Sequence, residues 1–254
     1  MLKDLKITEE VKNKFLYKNK SALLKDLQIF CRCKVSRFTY NNKDSQIIKE
    51  LRSRFGEFEY EVYNNKVTDL VIEFKGVETK DLELIGELTS LEWLHLSGNK
   101  ITLIQNLSKL INLKGLFICE NQITTIQGLD KLTQLKAIDL NKNQITEIRG
   151  LNNLSNLWRL ELESNQISKI QGLDKLTKLE VIDLGKNQIT KIEGLEKLNS
   201  LKHLWLDNNQ ITTIEGLENL TNLQEISLKE NNISEKEIKE FQANNPKYKS
   251  IITK

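Results

Sequence analysis

The side chains best suited to chemistry in this 254-residue chain are few: two histidines, three cysteines and three tryptophans. His95 and His203 stand five repeat units apart, so no histidine-rich metal site is expected. Cys31-Arg32-Cys33 lacks the second ligand pair that a tetrahedral zinc site needs, and reads as two small buried side chains. Cys119 has no base beside it to generate a thiolate nucleophile. Neither HExxH, GxSxG, a phosphate-cradling P-loop nor GxGxxG occurs. The expectation is a chain that is not an enzyme and takes no cofactor or metal.

Charge narrows the partners further. The chain has 38 basic and 35 acidic residues, a net charge of +3, which argues for neither nucleic acid nor a membrane surface. With 39% hydrophobic residues, one proline and 11 glycines it is neither disordered nor collagen-like. The opening stretch MLKDLKITEEVKNK lacks the apolar core of a secretory signal. No run approaches the roughly 18 apolar residues of a membrane span. Three unevenly placed cysteines cannot form a disulfide framework, which fits a reducing, cytoplasmic setting. The oligomeric state stays open.

The elements that must carry these residues come from an internal repeat. Leucine recurs at 91, 113, 135, 157, 179, 201 and 223, and an asparagine follows eight residues after each. The unit reads L-x-x-[LI]-x-[LI]-x-x-N-x-I, as in Leu135, Ile138, Leu140, Asn143 and Ile145, and continues I-x-x-L-x-x-L through Ile148, Leu151 and Leu154. A degenerate unit precedes it, with Val67, Leu70, Ile72 and Val77 in place and Leu82, Ile85 and Leu88 two residues late.

Alternating L-x-L is the pattern of a short strand with one face inside. Apolar residues at every third position after it suit a tight turn or a 3₁₀-like segment. One such unit cannot bury its apolar side alone, so units stack, strand beside parallel strand. The asparagine can satisfy backbone groups where the chain turns inward. Gly128, Gly150, Gly172, Gly194 and Gly216 share one repeat position, where a positive φ or a close approach is expected.

The pattern resembles the leucine-rich-repeat family, and 22-residue units of this kind are similar to those of bacterial internalins and of an intracellular phosphatase-regulator type. The expected fold is therefore an α/β solenoid, right-handed, with a parallel concave β-sheet, a convex side rich in 3₁₀ segments and turns, and helical or hairpin caps. The resemblance implies a protein- or peptide-binding scaffold. A regulatory subunit that binds and modulates an enzyme such as a phosphatase is the alternative.

Caps are expected at both ends, dividing the chain into 1–66, 67–233 and 234–254. Ser234-Glu235-Lys236-Glu237 reads as a capping box, with Ile233, Ile238 and Phe241 closing the last unit before Asn244-Asn245-Pro246. Upstream, Asp44 can cap a helix through Ile47, Ile48, Leu51 and Phe55 that ends at Gly56, and residues 57–63 alternate as a strand before the Asn64-Asn65 turn. Residues 21–33 look helical, and residues 1–66 carry 15 bases against nine acids. They read as an extended cap or as a small module that docks a partner.

The residues that the repeat leaves free point to function. Repeat positions 3, 5, 7 and 8 should face the concave surface. They bring together Trp93, His95, Phe117, Asp139, Arg159, Glu161, Asp183, His203, Trp205 and Asp207. Aromatic side chains concentrated on one sheet face are binding anchors; for Trp93 and Phe117 the alternative is packing against the N-terminal cap. Ten acids face four bases at these positions, with Asp139, Glu161 and Asp183 on consecutive strands. Such a row draws basic segments of a partner, or is a solvated face that serves solubility. Its sign disfavours nucleic acid, and an open sheet does not supply the six or more oxygens that calcium takes.

Overall fold

The computed structural model describes residues 43–246 and the backbone of Ile252–Thr253. The chain divides into two units, Met1–Phe38 and Thr39–Lys254, and every described residue belongs to the second. The helix expected over 21–33 and the Cys31/Cys33 pair lie outside the described residues.

Helix α1, Lys43–Phe55, buries Ile47, Ile48 and Leu51, and stops at Gly56 with φ of 71°. Asp44 does not cap it as expected. The helix already includes Lys43, and the Asp44 carboxylate accepts a hydrogen bond from the Val67 amide at 3.0 Å instead, tying α1 to the first repeat strand. Strands β1 (Glu59–Tyr63) and β2 (Lys66–Val71) form an antiparallel hairpin. Its turn residues Asn64 and Asn65 both have positive φ, the backbone that a twisted two-residue hairpin requires.

From β2 onward every pairing is parallel and sequential. Strands β3 (Trp93–His95), β4 (Gly115–Phe117), β5 (Ala137–Asp139), β6 (Arg159–Glu161), β7 (Val181–Asp183), β8 (His203–Trp205), β9 (Glu225–Ser227) and β10 (Ile252–Thr253) complete a ten-stranded sheet. Their short length follows from the repeat, which allows only an L-x-L core before the chain must turn. The repeat leucines and isoleucines are buried in one continuous core. On the far side the chain is held by successive i→i+3 bonds, such as Leu132 N to Leu129 O at 2.9 Å and Leu135 N to Leu132 O at 3.0 Å. The degenerate first unit differs. Its two extra residues are absorbed by a 3₁₀ turn, Thr79–Asp81, and a short helix α2, Leu82–Ile85, which bury Leu82, Ile85 and Leu88 like their counterparts.

The asparagines bridge neighbouring repeats. Asn165 Oδ1 accepts from Ile145 N at 2.9 Å, while its Nδ2 donates to Leu140 O and Leu162 O, both at 3.0 Å. The same geometry recurs from Asn121 to Asn231. Glycine is needed at its repeat position because a Cβ on Gly150 would lie 2.5 Å from Ile126 O, with φ at +73°. Helix α3, Glu235–Asn244, starts at Ser234, whose hydroxyl accepts from Glu237 N at 3.1 Å. The Glu237 carboxylate takes the Ile214 amide at 3.1 Å, which fastens the cap to the stack. Ile233, Ile238 and Phe241 pack on the core end.

Candidate functional site

In-register pairing turns the free strand positions into two continuous columns on one sheet face. The first runs Trp93, Gly115, Ala137, Arg159, Val181, His203, Glu225; the second runs His95, Phe117, Asp139, Glu161, Asp183, Trp205, Ser227. Nine of the ten candidate residues stand in these columns, and Asp207 lies just beyond β8. Their exposure differs from expectation. His95, Phe117, Asp139, Arg159, Glu161, Asp183 and His203 are buried, and Trp93, Trp205 and Asp207 half-buried. Strands about 4.8 Å apart let each side chain lie against the next, so the columns present a packed surface rather than separate projecting groups.

Aromatic rings occupy both ends. The His95 ring stacks on Phe117 with centroids 4.4 Å apart, and Trp93 lies parallel to Phe117 at 6.2 Å. Gly115 makes this possible: a Cβ there would sit 2.4 Å from the Trp93 ring and 2.8 Å from that of Phe117. The indole thus leans over β4. Sequence reasoning passed over Gly115, although a glycine inside a strand signals a close approach. Burial depresses the His95 imidazole to about 4, keeping it neutral at physiological pH. At the other end His203 and Trp205 stack at 6.0 Å, and His203 Nδ1 donates to a Glu225 carboxylate oxygen at 3.2 Å. His203 Nε2 is buried without a hydrogen-bond partner.

The middle is acidic, but not as a row of solvated carboxylates. Asp139 accepts from Asn141 N at 2.9 Å and Asp183 from Gly185 N at 3.0 Å, so both side chains fold back on the turn that follows their strand. Glu161 is ion-paired with buried Arg159 and accepts from Asn141 Nδ2 at 2.8 Å. Burial, and then the Glu161 charge, pushes the Asp139 carboxyl up to about 8. At neutral pH the row therefore holds fewer negative charges than the count of acids implies.

A bordering turn adds a feature that spacing alone did not disclose. The residue at repeat position 8 has positive φ in every unit, from Phe74 (54°) through Gly98, Glu120, Lys142, Ser164, Lys186 and Asn208 to Glu230. Phe74 is 67% exposed and its ring lies where a Cβ on Gly98 would be, 2.1 Å away. Burial and the nearby Asp139 charge push the Cys119 thiol up to about 12, so it stays protonated at neutral pH. Among the described residues no group of three or more histidines, cysteines or carboxylates could hold a metal ion, and no helix is long and apolar enough to cross a membrane.

The model of leucine-rich repeats in two copies matches residues 89–131, 111–156, 155–197 and 199–242. No curated protein sequence matches the chain. Among solved structures, internalin C2 of Listeria monocytogenes is 27% identical with a TM-score of 0.64, over 83% of this chain and 92% of that one. An internalin, InlF, of the same organism is 29% identical with a TM-score of 0.56, over 74% of this chain. A leucine-rich-repeat protein of Leptospira interrogans is 28% identical with a TM-score of 0.64, over 81% of this chain. The chain spans 59% of the InlF structure and 51% of the Leptospira one. With its repeats matched over more than half its length and its solenoid shared with these structures, the chain belongs to the leucine-rich-repeat family.

Proposed function

We propose that this protein is a non-catalytic scaffold whose concave face binds a protein segment carrying basic residues. Leucine-rich-repeat solenoids are in general protein-interaction scaffolds, and the sheet face here is where this one departs from its own repeat. The observation that carries the reading is the arrangement along a single register: aromatic stacks on β3–β4 and on β8 bracket the carboxyl groups of β5–β7. Rings give contact area at small entropic cost, and carboxylates in a packed setting favour a cationic side chain over water.

Affinity capture on the immobilised protein, from the lysate of its own cells, tests the reading. Changing His203 and Trp205 together to alanine should weaken retention of the captured partner by a factor of about 30 or more, as truncation of aromatic anchors does. Circular dichroism is the control for folding. Retention equal to wild type by a folded double variant would place binding on another surface.

A further inference from the structure

We infer that the concave face measures its ligand: it fits an extended, polyproline-II-type segment with an apolar residue at i, a basic residue at i+3 and an arginine at i+6. The inference rests on the concave-face reading above and adds a spacing to it.

The distances come from the sheet. Parallel strands lie about 4.8 Å apart, so the second column steps about 10 Å from Phe117 on β4 to Glu161 on β6, and about 10 Å again to Trp205 on β8. A polyproline-II helix rises about 3.1 Å per residue with three residues per turn, so residues i, i+3 and i+6 share one face at intervals of about 9.3 Å. A ligand of that form laid along the column meets a new chemical environment at each turn. A β-strand ligand fits poorly. Its same-face residues repeat about every 6.7 Å, which matches neither one strand step nor two.

Each station has its own chemistry. The first is the apolar surface of Trp93, His95 and Phe117, whose rings close together over Gly115 because it has no side chain. The second is the carboxyl cluster of Asp139, Glu161 and Asp183, opposed in the adjoining column by the one guanidinium of Arg159. The third is defined by His203. With Nδ1–H given to the Glu225 carboxylate on β9, Nε2 is the acceptor that the ring has left. His203 is 5% exposed and that nitrogen has no partner. A buried acceptor left open calls for a donor. Trp205 offers a ring face beside it, with the Asp183 carboxyl of β7 next to Trp205 and the Glu225 carboxylate of β9 next to His203. A guanidinium supplies the N–H, the positive charge and the flat surface that stacks on an indole.

Synthetic peptides test the spacing on the wild-type full chain by isothermal titration calorimetry. The probe is Phe-Pro-Pro-Arg-Pro-Pro-Arg, compared with versions carrying one and three prolines between the anchors, and with an alanine-rich helical peptide that places the same anchors seven residues apart. The two-proline peptide is expected to bind at least about tenfold more tightly than the others, the cost of losing one charge-assisted contact. His203→Phe keeps the ring and removes the acceptor. It should weaken this peptide about tenfold and leave a version ending in leucine unchanged. Equal affinity for all spacings, preference for the helical peptide, or no binding by any of them overturns the inference. If the cellular partner is still lost from the His203/Trp205 double variant while the peptides fail, the spacing is wrong and the docking face stands. If both fail, both readings fall.

Discussion

The asparagines from Asn99 to Asn231 and the column from His95 to Ser227 both climb the stack one strand at a time, and both consist largely of buried polar side chains. In the first, every residue has the same identity, and from Asn121 on the same bonds: one backbone amide received, three carbonyls served; Asn99, at the edge of the regular stack, receives two amides. In the second, a neutral imidazole, a phenyl ring, three carboxyl groups, an indole and a hydroxyl succeed one another on the same scaffold. Repetition answers a need that every turn shares, because each inward bend leaves the same backbone groups open. Variation appears where only some units tie the side chain to the backbone, and there it leaves a carboxyl group holding its proton, with a partnerless histidine nitrogen in the adjoining column. A regular row is what folding requires, and an irregular one is what recognition can use.

The largest effect should come from breaking the regular row. Asn165→Ala removes bonds to Ile145 N, Leu140 O and Leu162 O inside the stack and is expected to destabilise by about 3 kcal/mol. Asn231→Ala, at the half-buried end of the ladder, should cost about 1 kcal/mol because water can replace what is lost. Urea unfolding midpoints at matched slopes measure both. Equal losses at the two positions would mean that burial does not set the value of the ladder.

In the irregular row the sign should reverse. Asp139 holds its proton to about pH 8 when folded, whereas an unfolded aspartate releases it near 4. Across that interval the folded state binds more protons, so this group's contribution to stability falls as pH rises from about 4 to 8. Asp139→Asn keeps an acceptor for Asn141 N and should stabilise by about 1–2 kcal/mol at pH 8, with no gain at pH 4. Unfolding curves of both proteins across that range decide it. A constant difference between them would remove titration as the cause.

Phe74→Asn sharpens the contrast at the sheet border. An L-residue with φ near +54° carries a cost of about 1–2 kcal/mol that asparagine largely escapes, and Asn208 already occupies the equivalent turn. A gain of about 1 kcal/mol in thermal unfolding is expected, offset in part by the ring's lost contact with Gly98. A loss of stability would show that the Phe74 ring holds the turn together.

The smallest effect belongs to His95. Its folded imidazole protonates near pH 4 and its unfolded one near 6.5, so the unfolded chain takes up protons first and stability is lost as pH falls through that interval. His95→Phe keeps a ring against Phe117 and should match wild type within about 1 kcal/mol at pH 7, while flattening the acid limb. An unchanged acid limb would assign the loss to other groups.

Much of this was legible in the sequence. The 22-residue spacing of leucine and asparagine determined the solenoid, the parallel strand order and the face on which each free residue stands, because a period of two within a strand and identical turns between strands allow only one register. The structural glycines and the serine that opens the last helix followed from the same local rules. Tertiary structure alone decided how the columns behave. The sequence places Asp139, Glu161 and Asp183 side by side, but it does not say that two of them fold back onto backbone amides and that one shares its space with Arg159. Nor does it disclose that Asp44 and Glu237, apparent helix caps, serve amides of neighbouring elements. A hydrogen bond forms with whichever donor lies within about 3 Å, and for these side chains the nearest donor belongs to residues that only the stacking of repeats brings into reach.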